Sequence, residues 1–144
     1  MYLRFRERFQ LPIDDIFPYF SAPSEWGKLY GATRPTRPLG EGWYAIPLAR
    51  FPFPLVARNV DHEPGRRVRW EFGGFWRGVG EITFAKHEEE TIVEGFEYIV
   101  PHGLWILATP IEELVMRKEF ERIWSIGWGR IRKRHAGTPP TQPR

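Results

Sequence analysis

The chain contains no cysteine, which excludes disulfide bonds and thiol catalysis. It also lacks any long apolar run. The longest, at residues 104–108, is far too short to span a bilayer, and the first residues hold no apolar segment of signal-peptide length. We therefore expect a cytoplasmic protein that makes no stable insertion into a membrane.

Neither sign of charge is in large excess. The net charge is +3, from 21 basic and 18 acidic residues, which is too weak to argue for nucleic-acid binding. The four histidines have no metal-ligand spacing, the serines lie in no nucleophile motif, and the glycine-rich residues 74–80 lack the lysine of a phosphate loop. We therefore expect no metal, no cofactor and no nucleic-acid partner.

Aromatic residues, in contrast, are abundant. They make up 16% of the 144 residues, with seven tryptophans and eleven phenylalanines, and 42% of the chain is hydrophobic. A chain of this length is expected to fold as one domain with a substantial core. Aromatic side chains in such number either fill that core or line a pocket.

Residues 111–134 show the pattern of one long amphipathic helix. Thr109 is placed to cap its start, Pro110 suits the first turn, and Glu112 follows Thr109 at the spacing of a capping box. At 100° per residue one stripe of the helix is apolar, and charged side chains fall opposite it. The stripe consists of Met116, Phe120, Ile123, Trp124, Gly127, Trp128 and Ile131. Such a helix needs a broad apolar surface to pack on.

The rest of the chain predicts a sheet that supplies this surface. Residues 2–9 alternate as a strand, and residues 11–38 indicate two short helices followed by a loop. Five further strands are predicted at residues 43–50, 55–62, 67–72, 75–86 and 91–101. In the last strand Ile92, Phe96, Tyr98 and Val100 form the predicted apolar face. Short turns between the strands imply an antiparallel sheet, and hence an α+β domain over residues 1–135 with a disordered tail at 136–144.

This order of elements resembles the helix-grip fold of the START-related, pollen-allergen-like superfamily (SRPBCC), which includes bacterial polyketide cyclase/dehydrase-like proteins. Residues 12–17 (PIDDIF) are similar to its first helix, and Trp26 falls where these proteins often carry a tryptophan. Residues 39–42 (LGEG) resemble the glycine turn into the second strand, and residues 101–104 (PHGL) resemble the section before the closing helix. The resemblance covers about residues 2–134.

The resemblance implies a curved antiparallel sheet wrapped around the long helix, with an apolar cavity between them that holds a lipid, polyketide, sterol or similar molecule. Gly78 and Gly80 on the inner sheet face, and Gly127 within the helix stripe, fit a cavity or a close packing contact. The expected function is binding or transport of a small hydrophobic ligand. The expected cavity residues are Phe5, Glu7, Trp43, Trp70, Trp76, Tyr98, Trp105, Met116, Phe120, Trp124 and Trp128.

Glu7 is the residue for which the sequence suggests chemistry. It shares a strand face with Phe5 and Phe9, and a buried unpaired carboxylate is costly, so it should have a partner or a raised pKa. It is either a polar anchor or proton-transfer group in the cavity, or one half of a salt bridge near the rim of the sheet. Glu94 and Glu97 raise the same question more weakly.

Two other functions stay open at this point. A polyketide cyclase/dehydrase-type enzyme acting on the ligand needs polar groups aimed inward, and a protein-interaction module would show an exposed apolar patch. We favour a non-enzymatic binding protein because no second acid–base partner for Glu7 is visible in the sequence. The identity of the ligand and the oligomeric state are left open.

Overall fold

A computed structural model describes residues 1–32, 34–48, 53–103 and 109–136, with the backbone alone for residues 109–112. The described residues form seven strands, four helices and a short 3-10 turn at Pro23–Glu25. The strands are β1 (Tyr2–Phe9), β2 (Arg37–Gly40), β3 (Trp43–Ile46), β4 (Leu55–Glu63), β5 (Arg67–Gly73), β6 (Trp76–His87) and β7 (Glu90–Pro101). The helices are α1 (Ile13–Ile16), α2 (Pro18–Ser21), α3 (Trp26–Tyr30) and α4 (Thr109–His135).

The strands form one curved antiparallel sheet in the order β1-β7-β6-β5-β4-β3-β2. Strands β2 to β7 follow one another as neighbours, and β1 joins beside β7 at the other edge. The turn between β4 and β5 has Gly65 at a positive φ of 69° and a hydrogen bond from Arg66 N to Glu63 O, as expected of a type II turn. The predicted α+β class and antiparallel sheet are confirmed.

Helix α4 packs its apolar stripe against the inner face of this sheet. All seven residues of the predicted stripe are buried, with Ile131 fully inaccessible and Phe120 at 2% exposure. On β5, Val68, Trp70 and Phe72 alternate with exposed or half-buried polar residues, so the inner face supplies the facing apolar surface. The long helix is confirmed at nearly the predicted length.

Three local predictions are corrected by the structure. Residues 37–40 were expected in a loop or turn but form the edge strand β2, which is exposed throughout and contains Pro38, a residue that edge strands tolerate. The segment after β1 holds three short helices rather than two. Strand β3 ends at Ile46 rather than continuing to residue 50, and residues 49–50 and most of the predicted tail lie outside the described residues.

The four residues predicted to share one face of β7 do share it, but that face is turned away from α4, contrary to the cavity position predicted for Tyr98. Ile92, Phe96, Tyr98 and Val100 point to the outer face of the sheet, while Thr91, Val93, Glu97 and Ile99 are buried on the inner face. Both sets contain apolar residues, so alternation alone does not say which faces the core. This reversal moves a glutamate into the interior.

Candidate functional site

The centre of the inner sheet face is a row of three residues on neighbouring strands. Glu97 on β7 lies opposite Gly80 on β6, and Gly80 lies opposite Trp70 on β5. A Cβ atom on Gly80 would lie 2.3 Å from Cε2 of Trp70 and 2.4 Å from its Nε1. The missing side chain at Gly80 therefore lets the Trp70 indole lie across β6, with its N–H end over the strand that separates it from Glu97.

The carboxyl group of Glu97 is buried beneath α4. The residue is 3% exposed, and Trp124 Nε1 donates a hydrogen bond of 2.8 Å to its Oε2. Burial raises the pKa of Glu97 from 4.5 to about 7, and the indole N–H groups of Trp124 and Trp70 oppose that rise. The Trp70 Nε1 nonetheless has no partner within normal hydrogen-bond geometry among the described residues.

Helix α3 adds two aromatic residues to this group. Tyr30 has its pKa raised above the usual value by burial and, second, by the negative charge of Glu97. Trp26 is 1% exposed and meets Trp70 edge to face with the ring centroids 5.1 Å apart. Its Nε1, like that of Trp70, is buried and finds no partner in the described part of the chain. We call Glu97, Trp124, Trp70, Trp26 and Tyr30 the Glu97 cluster.

Aromatic rings surround the Glu97 cluster on the α4 side. Phe5 stacks on Trp124 with centroids 4.2 Å apart, and Trp124 stacks on Trp128 at 4.9 Å. Phe20 lies 6.0 Å from Trp124 and 5.6 Å from Trp128. Such pairs each stabilise the fold by about 0.5–1.5 kcal/mol beyond area burial. The interior is thus an aromatic stack with a small set of hydrogen-bonding groups at its centre.

Two recesses lined by described residues lie away from this interior. One, of about 560 Å³, is on the outer sheet face around Arg4, Glu81 and Phe96. The other, of about 450 Å³, lies between α3 and the approach to β2, around Lys28 and Thr36. A cavity between the sheet and α4 therefore stays a prediction.

Solved structures of low sequence identity share this fold. A conserved protein from Geobacillus kaustophilus superposes with a TM-score of 0.69 at 14% identity, over 92% of this chain and 96% of that protein. A Thermus thermophilus protein superposes with a TM-score of 0.67 at 12% identity, over 91% of this chain and 97% of that protein. A Deinococcus radiodurans protein superposes with a TM-score of 0.63 at 14% identity, over 95% of this chain and 99% of that protein. No family model and no curated protein matches the chain.

The chain has a helix-grip-like fold. At these identities the likeness shows the fold alone. In this helix-grip arrangement most of the predicted cavity residues lie on the inner side. They are Phe5 on β1, Trp70 and Trp76 on β5 and β6, and Met116, Phe120, Trp124 and Trp128 on α4.

Two predicted cavity residues face away from the helix-grip interior. Tyr98 is 48% exposed on the outer face of β7. Trp43 also lies on the outer face, where the guanidinium of Arg58 sits 4.8 Å from its ring centroid and Arg58 pairs with Glu71. Neither can line a cavity between the sheet and α4, so these two predictions are wrong. Trp105 lies outside the described residues.

Glu7 lies at the rim rather than in the interior. Its Oε2 accepts a hydrogen bond of 2.6 Å from Arg132 near the end of α4, and its side chain is 30% exposed. This is the salt-bridge alternative of the two that the sequence left open. The buried carboxyl is that of Glu97, which the sequence suggested only weakly. A glycine opposite a tryptophan on the neighbouring strand, as Gly80 is opposite Trp70, is the signal that could have located it.

Metal chemistry finds no support in the described ranges. No three histidine, aspartate or glutamate side chains there lie close enough together to hold an ion. Nor does any helix in the described part of the chain have the length and apolar character needed to cross a membrane. Among the described residues, the Glu97 cluster is the candidate site because it gathers a buried carboxyl and two unpartnered indole N–H groups.

Proposed function

We propose that the protein is a binding or transport protein for a small hydrophobic ligand, related to the START-related helix-grip superfamily, and that the ligand lies between the sheet and α4. The single observation that supports this most is the Glu97 cluster, a set of hydrogen-bonding groups inside an otherwise aromatic interior. Ligand sites are typically apolar, with a few placed polar groups that orient the ligand. A cytoplasmic location remains part of the proposal.

The energetic reason is that two features of the Glu97 cluster work against folding: its buried carboxyl and its unpartnered indole N–H groups. A carboxyl group whose pKa is raised by burial destabilises the folded protein at neutral pH. Unpartnered indole N–H groups at Trp26 and Trp70 add a desolvation penalty. Groups that are unfavourable for folding and concentrated in one place are typical of functional sites.

Binding requires the aromatic rings to separate. The rings of Phe5, Trp124 and Trp128 are in stacking contact, so the ligand must displace some of these contacts and replace them with its own. The bound state is then a conformation that the ligand selects from the protein's ensemble. Because the rings have to part and then close on the ligand, we expect flat or flexible apolar molecules to bind better than bulky rigid ones.

The test is a titration with N-phenyl-1-naphthylamine, an uncharged apolar probe whose fluorescence rises on burial. We expect saturable binding at one site. In a ¹H–¹⁵N spectrum the indole N–H signals of Trp70 and Trp124 should shift, while that of Trp43 on the outer face should not. Native mass spectrometry of freshly purified protein should show a co-purified small molecule. Absence of saturable binding together with a ligand-free mass spectrum would overturn the proposal.

A second candidate is an enzyme of the cyclase/dehydrase type. It is favoured by one observation: the Glu97 carboxyl titrates near neutral pH, as a general acid or base requires, and Tyr30 lies within reach of its charge. In that case Glu97→Gln should lower turnover of a polyketide-like substrate by about 10²–10⁴-fold and leave binding intact. Turnover that survives the substitution would exclude this function.

A third candidate is a protein-interaction module. The outer face carries one row of exposed apolar side chains across three strands, Tyr2, Tyr98 and Val79, each 43–48% exposed. The row is short compared with the patches that usually mark stable interfaces. It therefore supports this function less strongly than the Glu97 cluster supports ligand binding.

A further inference from the structure

The Glu97 cluster presents hydrogen-bonding groups of both kinds in one place. The ionised Glu97 carboxylate can only accept hydrogen bonds, and Trp124 already occupies Oε2. The indole N–H of Trp70 can only donate. It lies near enough to Glu97 to oppose the rise in the pKa of that carboxyl, but it is buried and reaches no acceptor in hydrogen-bond geometry in the described ranges. These two groups belong to adjacent positions of one row, separated only by Gly80.

One chemical group can satisfy both at once. A hydroxyl accepts hydrogen bonds through its lone pairs and donates one through its proton. It can therefore accept a hydrogen bond from the Trp70 N–H and donate one to Glu97. An ammonium group only donates and would leave the indole N–H unpartnered. A carboxylate only accepts and would bring a second negative charge to Glu97. A water molecule meets the same requirement, so the source of the hydroxyl has to be decided by experiment.

The aromatic residues that line the site indicate which kind of molecule carries this hydroxyl. Phe5 stacks on Trp124 with ring centroids 4.2 Å apart, and Trp124 stacks on Trp128 at 4.9 Å. The rings of Phe5 and Trp128 lie 5.6 Å apart and are tilted by 53°. A flat aromatic ring that enters between them replaces one stacking contact by two, in the offset geometry that such rings prefer. A branched aliphatic ligand cannot stack on these rings and would leave part of each ring without contact.

We propose that the ligands of this site are small uncharged aromatic alcohols of the phenol class, with the hydroxyl held between Glu97 and the Trp70 N–H. This inference rests on the proposed binding function and adds the chemical class to it. The ring of the ligand packs against the aromatic residues beneath α4. The hydroxyl oxygen accepts from Trp70 and its proton points to the Glu97 carboxyl.

The test compares three probes with the same bicyclic body: 2-naphthol, 2-methoxynaphthalene and naphthalene. The first donates and accepts, the second only accepts, and the third does neither. Dissociation constants come from tryptophan quenching at a pH of about 8, above the pKa of Glu97, where its carboxyl is ionised. The site is identified by the shift of the Trp124 indole signal. In the wild-type protein 2-naphthol should bind about tenfold more tightly than the other two, as expected from one or two hydrogen bonds within a buried site.

Two variants separate the contributions of the two groups. Glu97→Met keeps the length of the side chain without an acceptor, and it should reduce the advantage of 2-naphthol over 2-methoxynaphthalene to less than about twofold. Glu97→Leu, which also lacks an acceptor, serves the same purpose if Glu97→Met folds poorly. Trp70→Phe should weaken both oxygen-bearing probes relative to naphthalene. Glu7→Gln at the rim and Trp43→Phe on the outer face are matched controls and should leave all three constants unchanged.

The outcomes distinguish this inference from the function on which it rests. If all three probes bind inside with equal affinity, the protein binds apolar ligands but the hydroxyl is not recognised, and a bound water is the better partner for Glu97 and Trp70. If 2-naphthol is preferred equally in wild type and in both Glu97 variants, the assignment to Glu97 is wrong. If none of the probes binds, the proposed binding function fails as well.

Discussion

The indole N–H of Trp124 and the carboxyl of Glu97 form a buried hydrogen bond of 2.8 Å that joins the middle of α4 to β7. Glu97 is on the strand that lies between β1 and β6, so this contact fixes the helix over the centre of the sheet. It also couples the protonation of one carboxyl to the packing of the main helix. Stability and ligand binding should therefore both respond to changes at these two residues.

The first prediction concerns pH. Burial raises the pKa of Glu97 from 4.5 to about 7, so the folded protein holds this proton more tightly than the unfolded chain does. The stabilising contribution is fully present below the unfolded pKa and is lost as the pH rises through about 7. The free energy of unfolding should therefore rise by about 3 kcal/mol from this group as the pH falls from about 8 to about 4.5.

This contribution can be isolated by urea unfolding of wild type and Glu97→Gln at several pH values across that interval. The amide does not titrate, so the difference between the two proteins should vary with pH. Glu7→Gln, whose carboxylate is paired with Arg132 at the rim, should follow the wild-type profile within about 1 kcal/mol. Parallel profiles for wild type and Glu97→Gln would show that the carboxyl is not held in the environment described.

The second prediction concerns Trp124→Phe. The substitution keeps a ring in the stack but removes the donor to Glu97, and an unsatisfied buried acceptor costs about 1–3 kcal/mol. The loss should be larger at pH 8 than at pH 5, because only the ionised carboxylate depends strongly on the donor. It should be much smaller in a Glu97→Met background, which has no acceptor at this position, and a double-mutant cycle measures the difference. An equal loss at both pH values and in both backgrounds would assign the effect to ring packing alone.

The third prediction concerns the close approach of Trp70 to Gly80. In Gly80→Ala the new Cβ would lie 2.3 Å from the indole, so the ring has to move out of its position above β6. Overpacking of this kind typically destabilises by about 1–3 kcal/mol. Because the cause is the indole, the same substitution in a Trp70→Leu background should be nearly neutral. Chemical denaturation of the four proteins checks this, and an undiminished loss in the Trp70→Leu background contradicts it.

The fold can be predicted from the sequence where the hydrophobic periodicity of a helix or strand allows only one buried face. On α4 the residues from Met116 to Ile131 allow only one apolar stripe, and that stripe is buried. On β7 the two faces are both partly apolar, with Phe96 and Tyr98 on one and Val93 and Ile99 on the other. The choice between them depends on pairing with β1 and β6, which is a non-local property that a pattern along one strand does not contain.

The position of Glu97 in the candidate site could not be predicted from the sequence for the same reason. Glu97 becomes the central polar residue only because β7 turns that face toward α4, whereas Glu7 meets the rim because Arg132 reaches it from the last turns of the helix. The contact between Glu97 and Trp124 joins residues 27 positions apart in the chain. Composition indicated that aromatic residues would line the interior, but only the register places the carboxyl among them.

The last prediction compares two glycines of α4 that lie on opposite sides of the helix. Gly127 is buried against α3, and a Cβ there would lie 3.4 Å from Leu29 Cγ and 3.6 Å from Tyr30 Cε1, which is ordinary contact. An alanine therefore fits, but the larger Gly127→Leu side chain must displace Leu29 or Tyr30 and should destabilise by about 1–3 kcal/mol. Gly129 has nothing within 4 Å of its added Cβ, so Gly129→Ala should stabilise the helix by about 0.5–1 kcal/mol.

The free energy of unfolding of these variants decides how α4 is oriented. Gly129→Leu is the matched control for Gly127→Leu, because it adds the same side chain on the exposed side of the same helix and should cost little. Since Tyr30 belongs to the Glu97 cluster, Gly127→Leu should also weaken binding of N-phenyl-1-naphthylamine, whereas Gly129→Leu should not. Equal stability and equal probe binding in the two leucine variants would mean that Gly127 does not face α3, and that the stripe on which the whole interior depends is placed wrongly.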